Sequence, residues 1–105
     1  MTRLIVLVLL TAIFGCSQTV VDIPVEAFGD KTQMDAYLGK TVRVTGKPVL
    51  DKVGNCIDAG DEYFVVRDCK GFPRGSAQTT VTGELSRYEV PGWSAYMLVN
   101  AQVER

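Results

Sequence analysis

The feature that most restricts the fold is the stretch Tyr37-Leu-Gly-Lys-Thr-Val-Arg-Val-Thr-Gly-Lys-Pro-Val-Leu50. Val42 and Val44 alternate with Thr41, Arg43 and Thr45, the period-two pattern of a strand with one buried face. At Gly46 the alternation breaks, and the next apolar pair, Val49 and Leu50, resumes out of phase. A strand that changes face at a glycine bends or bulges there, as a barrel strand must to pass from one sheet to the other. The later segments are therefore expected to be partners of one bent strand.

Before it, Asp30 to Leu38 has the pattern of a two-turn helix. Asp30 can cap it, Gln33 three places on completes a capping box, and Gly39 supplies the stop. Met34, Tyr37 and Leu38 share a face, which so short a helix must rest on the sheet. After the bent strand, Asp51 to Glu62 reads as a loop, with Gly54, Asn55, Gly60 and the acids Asp58, Asp61 and Glu62. Tyr63 to Arg67 is a strand, ended by the turn residues Asp68-Cys69-Lys70-Gly71. Phe72 to Gln78, with Pro73 and Gly75, leaves little room for a regular strand. Thr79 to Leu85 alternates again around Gly83, Ser86 to Ser94 reads as a loop about Pro91-Gly92, and Ala95 to Val103 closes the chain as a strand.

The N-terminus carries an address. Arg3 is the only charge before Asp22, and Leu4 to Phe14 is apolar apart from Thr11. A basic start and an apolar run of this length make a secretory signal peptide; a membrane span needs about 20 apolar residues. The run ends Ile13-Phe14-Gly15-Cys16, which resembles the lipobox of bacterial lipoproteins, with Phe14 departing from the small residue usual at that place. The resemblance implies diacylglyceryl transfer to the Cys16 thiol, cleavage before Cys16, and anchoring by several acyl chains at about 0.8 kcal/mol per buried CH₂. It gives a signal peptide over 1–15, a lipidated cysteine and tether over 16–29, and a folded domain over 30–105. Ser17 after the cysteine is similar to the outer-membrane sorting signal of Gram-negative lipoproteins, so the expected location in such a cell is the outer membrane, facing the periplasm. A plain secretory peptide with an incidental cysteine is the alternative.

Five short strands with one short N-terminal helix imply a mainly β fold, a small closed barrel in which closure removes the sheet edges. Gly39-Lys40-Thr-Val-Arg-Val-Thr-Gly46, Tyr63 to Asp68, Val81-Thr-Gly-Glu-Leu85 and Tyr96-Met-Leu98 together resemble the small OB-fold domains of exported bacterial proteins. Phe72 to Gln78 departs from the family pattern as a third strand, which leaves a partly open barrel or an SH3-like one as alternatives. With Cys16 acylated, Cys56 and Cys69 remain as an even pair in an oxidising compartment, and a disulfide is expected between them. Closing a loop of about fourteen residues corresponds to about 3 kcal/mol in the chain-entropy model.

The chemistry available is narrow. The 105 residues hold eleven Lys and Arg, twelve Asp and Glu and no histidine, so the usual neutral-pH base and the commonest zinc ligand are both absent. No Ser-x-x-Lys or paired-acid motif appears, and neither an enzyme nor a cofactor or metal is expected. Cys69 beside Lys70 admits a thiol-redox role, but there is no Cys-x-x-Cys. Asp58, Asp61 and Glu62 lack calcium-loop spacing and read as a solvated loop. Binding is the use the resemblance implies: OB barrels bind across their second and third strands, between the first-second and fourth-fifth loops. That places Arg67, Lys70 and Arg74 on one rim with Tyr88 and Trp93 opposite, a mix of cations and aromatics suited to sugars, peptides or nucleic acid. Nucleic acid is disfavoured by the net charge of −1 and by export. The expected role is a lipid-anchored binding or accessory module of the cell envelope with a protein or glycan partner; an oligosaccharide- or nucleic-acid-binding domain is the alternative. Trp93 packed as a plug over the barrel end is the competing structural reading of that aromatic.

Overall fold

A computed structural model describes residues 19–73 and 78–104. The segment 1–15 expected to be a signal peptide, Cys16 and Arg74 lie outside the described residues. Among the described residues the chain is mainly β, with strands β1 (Val21–Asp22), β2 (Thr41–Asp51), β3 (Gly54–Asp58), β4 (Tyr63–Val66), β5 (Thr79–Val90) and β6 (Trp93–Val103), a short 3₁₀ helix at Val25–Ala27 and one α-helix, α1 (Lys31–Asp35). They form one mixed sheet in the order β1-β2-β3-β4-β6-β5, and β5 pairs back onto β2, so the hydrogen bonds of the last five strands run in a ring. β4 and β6 are parallel, as are β1 and β2; the other pairings are antiparallel.

β2 holds the ring together by changing partner at Gly46. Thr41 to Gly46 pair with β5, and Lys47 to Asp51 pair with β3. A Cβ at Gly46 would stand 2.5 Å from the Asp58 carbonyl oxygen and 2.7 Å from Ile57 Cγ2, so the crossing is possible only where no side chain intervenes. The inward alternation nevertheless runs on through the glycine: Val42, Val44, Gly46 and Pro48 are buried, while Leu50 lies beyond the core and is 64% exposed. The change of phase at Val49 marks a second apolar face on the outside of the sheet, described below.

The main core gathers Val42, Val44, Ile57, Phe64, Val66, Val81, Leu85, Leu98 and Ala101 from the ring. Met34 from α1 is fully buried against them, with Tyr37 and Leu38 packed beside it, as the helical pattern requires. Asp30 caps α1, accepting from the Gln33 N–H at 3.2 Å, and the Gln33 side-chain amide donates to Asp30 Oδ2 at 2.9 Å. The helix is shorter than expected. From Ala36 on, N–H groups bond three residues back, and Gly39 N–H donates to the Leu85 carbonyl, so the chain joins β5 before a second α-helical turn is complete.

Three expectations about the elements are corrected. The tether is, from Val21 onward, part of the fold: Val21 and Asp22 pair with Val42 and Arg43, Ile23 and Ala27 are buried, and the Phe28 ring meets Phe64 edge-on at 5.9 Å. The loop over 51–62 contains β3, too short to show its alternation, with only Lys52 and Val53 between the strands of a tight hairpin. β3, and not Phe72 to Gln78, is therefore the strand that completes the ring; Phe72, Pro73 and Gln78 lie outside any strand. The loop over 86–94 is likewise a two-stranded ribbon paired from Ser86–Met97 to Val90–Trp93, turning on Pro91-Gly92 with Gly92 at φ +83°.

The disulfide expected between Cys56 and Cys69 is not formed. Cys56 is fully buried in β3 opposite Val65, on the face of the sheet away from the main core, since its neighbours Ile57 and Phe64 point into that core. Cys69 follows Asp68, which has φ +56°, and packs against the main core from beyond the end of β4. The two thiols belong to opposite faces.

Candidate functional site

The outer face of β2, β3, β4 and β6 carries a continuous apolar row. Val49 pairs with Cys56, Cys56 with Val65 and Val65 with Met97, so the four side chains stand side by side across four strands. Cys56 and Val65 are fully buried even though they face away from the main core. They are covered by larger side chains of the same face, and those form the candidate site.

Tyr63, at the start of β4, lies near Trp93, at the start of β6, with ring centroids 6.4 Å apart and planes at 71°. Trp93 in turn meets Tyr88 of β5 at 5.9 Å and 65°, and the Arg67 guanidinium carbon sits 5.2 Å from the Tyr88 centroid. The result is a line, Tyr63–Trp93–Tyr88–Arg67, across the outer face. Both tyrosines contact Trp93 edge-to-face, which holds the indole in place while leaving it 40% exposed.

Next to this line an open groove of about 740 Å³ runs between the two hairpin tips, lined by Asp51, Lys52, Val53, Tyr63, Pro91 and Trp93. Tyr63 Oη donates to Asp51 Oδ2 at 2.8 Å, and the Lys52 N–H donates to Asp51 Oδ1 at 2.6 Å. These bonds hold the Asp51 carboxyl below its ordinary pKa, the Tyr63 bond contributing most. Burial first, and then the Asp51 carboxylate, push the Tyr63 phenol well above its usual range, so it remains a donor at all physiological pH. Burial also pushes the Cys56 thiol up, against the partial effect of the nearby Tyr63 hydroxyl. A reactive thiol needs the opposite shift.

The structure thus brings together three of the expected residues, Arg67, Tyr88 and Trp93, and adds Asp51, Lys52 and Tyr63. Tyr63 is legible in the alternation Tyr63-Val65-Arg67; Asp51 is not, because the hairpin that presents it has the composition of a loop. Lys70 lies elsewhere, in a groove with Asp68 and Asn100 to Val103. Arg74 is outside the described residues. Two of the acids over 58–62 accept backbone N–H groups: Asp58 Oδ1 accepts from the Gly60 N–H at 3.0 Å within its own turn, and Glu62 Oε2 accepts from the Gly29 N–H at 2.8 Å, 33 residues away in the chain. A separate polar cluster ties α1 to the sheet, with Asp35 accepting from Tyr96 Oη at 2.7 Å and Lys31 Nζ at 2.8 Å, and Arg87 3.1 Å away.

Comparison of the chain with protein-family models, with curated proteins and with solved structures finds no match.

Proposed function

We propose that the chain is an exported lipoprotein, anchored through Cys16, whose small OB-like barrel is a non-enzymatic binding or accessory module of the cell envelope. The observation that carries the reading is the groove between the two hairpin tips, with the braced, exposed indole of Trp93 on its wall. The ring order supports the OB-like barrel: β2, β3, β4, β6 and β5 close in sequence, with the third and last ring strands parallel. On that mapping the groove lies between the first-second and fourth-fifth loops, where OB barrels bind. The Ile13-Phe14-Gly15-Cys16 sequence supports the anchor, and the absence of histidine supports a role without catalysis.

The groove suits a ligand with an apolar ring face, a sugar or a peptide side chain, stacked on Trp93 with Asp51 and Lys52 at its polar edge. Nucleic acid fits poorly. The chain carries a net charge of −1, Asp51 stands in the groove, and the Arg67 cation is already placed over Tyr88.

The test is Trp93→Ala. A platform residue costs less stability when removed than a buried plug, about 1–3 kcal/mol for its two edge contacts. Binding to cell-wall glycan or envelope peptide fractions should fall by the 1–3 kcal/mol typical of a stacking contact. A loss of about 3–5 kcal/mol in a urea melt would mark Trp93 as a core plug and overturn the reading.

A further inference from the structure

We infer that the lipid anchor and the candidate groove sit at opposite ends of the molecule, so that the β1 end of the sheet rests on the bilayer and the groove opens away from it. The inference rests on the Cys16 anchor proposed above and adds to it the direction in which the domain stands.

Two observations carry it. The first is the length of chain between the anchor and the fold. Val21 is already paired with Val42, which leaves only residues 17–20 between Cys16 and β1. Five Cα steps span at most about 18 Å, so an acylated Cys16 holds the domain body against the headgroups. The second is the parallel pairing of β1 with β2. Because the two strands run the same way, the chain upstream of Val21 leaves at the Thr41 end of β2, and β2 then runs away from that point to Asp51 at the groove.

The separation is large on this scale. Ten residues along β2 separate Thr41 from Asp51, about 33 Å before the bend at Gly46 is allowed for. Six residues along β6, about 20 Å, separate Val99 from Trp93. Val20, Thr41, Glu84, Val99 and Gln102 line a shallow concavity at the anchor end that shares no residue with the groove. This is the surface that meets the lipid. A tether of fourteen residues would have let the domain tumble, whereas one of four keeps the Val21 end nearer the lipid than the groove. The ligand of the groove is therefore drawn from beyond the headgroups and is not itself a lipid.

The chain has a single tryptophan, so its position can be read directly. The lipidated protein is reconstituted in vesicles that carry an energy acceptor on the headgroups, and separately in vesicles with brominated acyl chains. Trp93 emission should show little transfer to the acceptor and no bromine quenching. In the double variant Glu84→Trp, Trp93→Phe, with the fluorophore at the Thr41 end, transfer should be several-fold stronger. A 20-residue Gly/Ser insertion after Ser17 should erase the difference. Equal transfer from both positions, stronger transfer from Trp93, or no effect of the insertion would overturn the orientation while leaving the anchor intact. Failure of the wild-type protein to float with the vesicles and to incorporate labelled fatty acid would overturn the anchor itself.

Discussion

Replacing Gly46 by alanine tests the account of how β2 serves two partners. The added methyl would lie 2.5 Å from the Asp58 carbonyl oxygen and 2.7 Å from Ile57 Cγ2, and the first of these is backbone, which no rotamer change can clear. β3 has to retreat by about 1 Å to restore an ordinary contact. Overpacking of this kind costs about 1–3 kcal/mol. Against it stands about 0.5–1 kcal/mol from the reduced freedom of the unfolded chain. The net loss is about 1–2 kcal/mol, read as a lower urea midpoint at unchanged slope and a melting temperature lower by roughly 5–15 °C. Gly83→Ala is the comparison, because its methyl would meet Leu98 Cβ and the Val99 oxygen at 3.1 Å, a tighter-than-usual but relievable contact, and the loss should be smaller. A Gly46→Ala midpoint equal to or above wild type, or a loss smaller than that of Gly83→Ala, would refute the close crossing as the reason for the glycine.

The remaining expectations are these. Cys16→Ser should abolish fatty-acid labelling and release the protein from the membrane fraction; undiminished labelling would remove the lipoprotein reading. Cys56 should resist iodoacetamide in the native protein and react on unfolding without added reductant, as mass spectrometry of the alkylated chain would show; a Cys56–Cys69 disulfide peptide would contradict the opposite-face placement. Asp35 is held below its ordinary pKa by the Lys31 bond first and the Tyr96 bond next, so its stabilisation is present above the ordinary carboxylate range and is lost as pH falls below about 4 through the depressed folded value. The melting temperature should therefore drop on acidification, and less steeply for Asp35→Asn; an identical slope would show that Asp35 does not link α1 to the sheet.

The parts of the fold that were legible in the sequence are those set by periodicity over several residues. Val42 and Val44 announced β2, Tyr63 to Val66 announced β4, and Asp30 with Gln33 announced the cap of α1. The elements that differ from expectation do so for physical reasons. β3 offers only Asn55, Cys56 and Ile57 between glycine and acidic turn residues, and its strand character comes from pairing on both sides. The ribbon over 86–97 mixes Arg87 and Glu89 with Tyr88 and Val90, a polar-apolar alternation hidden by the Pro91-Gly92 signal beside it. Val21 to Phe28 has no period because it is a two-residue strand followed by a 3₁₀ turn, with single side chains buried, Ile23 just after the strand and Ala27 in the turn. The site was half legible for a different reason: the resemblance to OB-fold domains pointed to Arg67, Tyr88 and Trp93 as cations and aromatics at the expected rims, whereas Asp51 and Lys52 gain meaning only once β2 and β3 form a hairpin.

The most direct measurement of the central claim is the emission of Trp93 in the intact protein, with acrylamide quenching, on addition of cell-wall glycan fragments, envelope peptide fractions and a thymidine oligomer at two salt concentrations. A binding groove predicts that Trp93 is open to quencher in the free protein and becomes shielded and blue-shifted with a glycan or peptide fraction, while the oligomer has no effect. A tryptophan already shielded without ligand, or one that responds only to the oligomer and loses that response at high salt, would contradict the groove as the envelope-binding site.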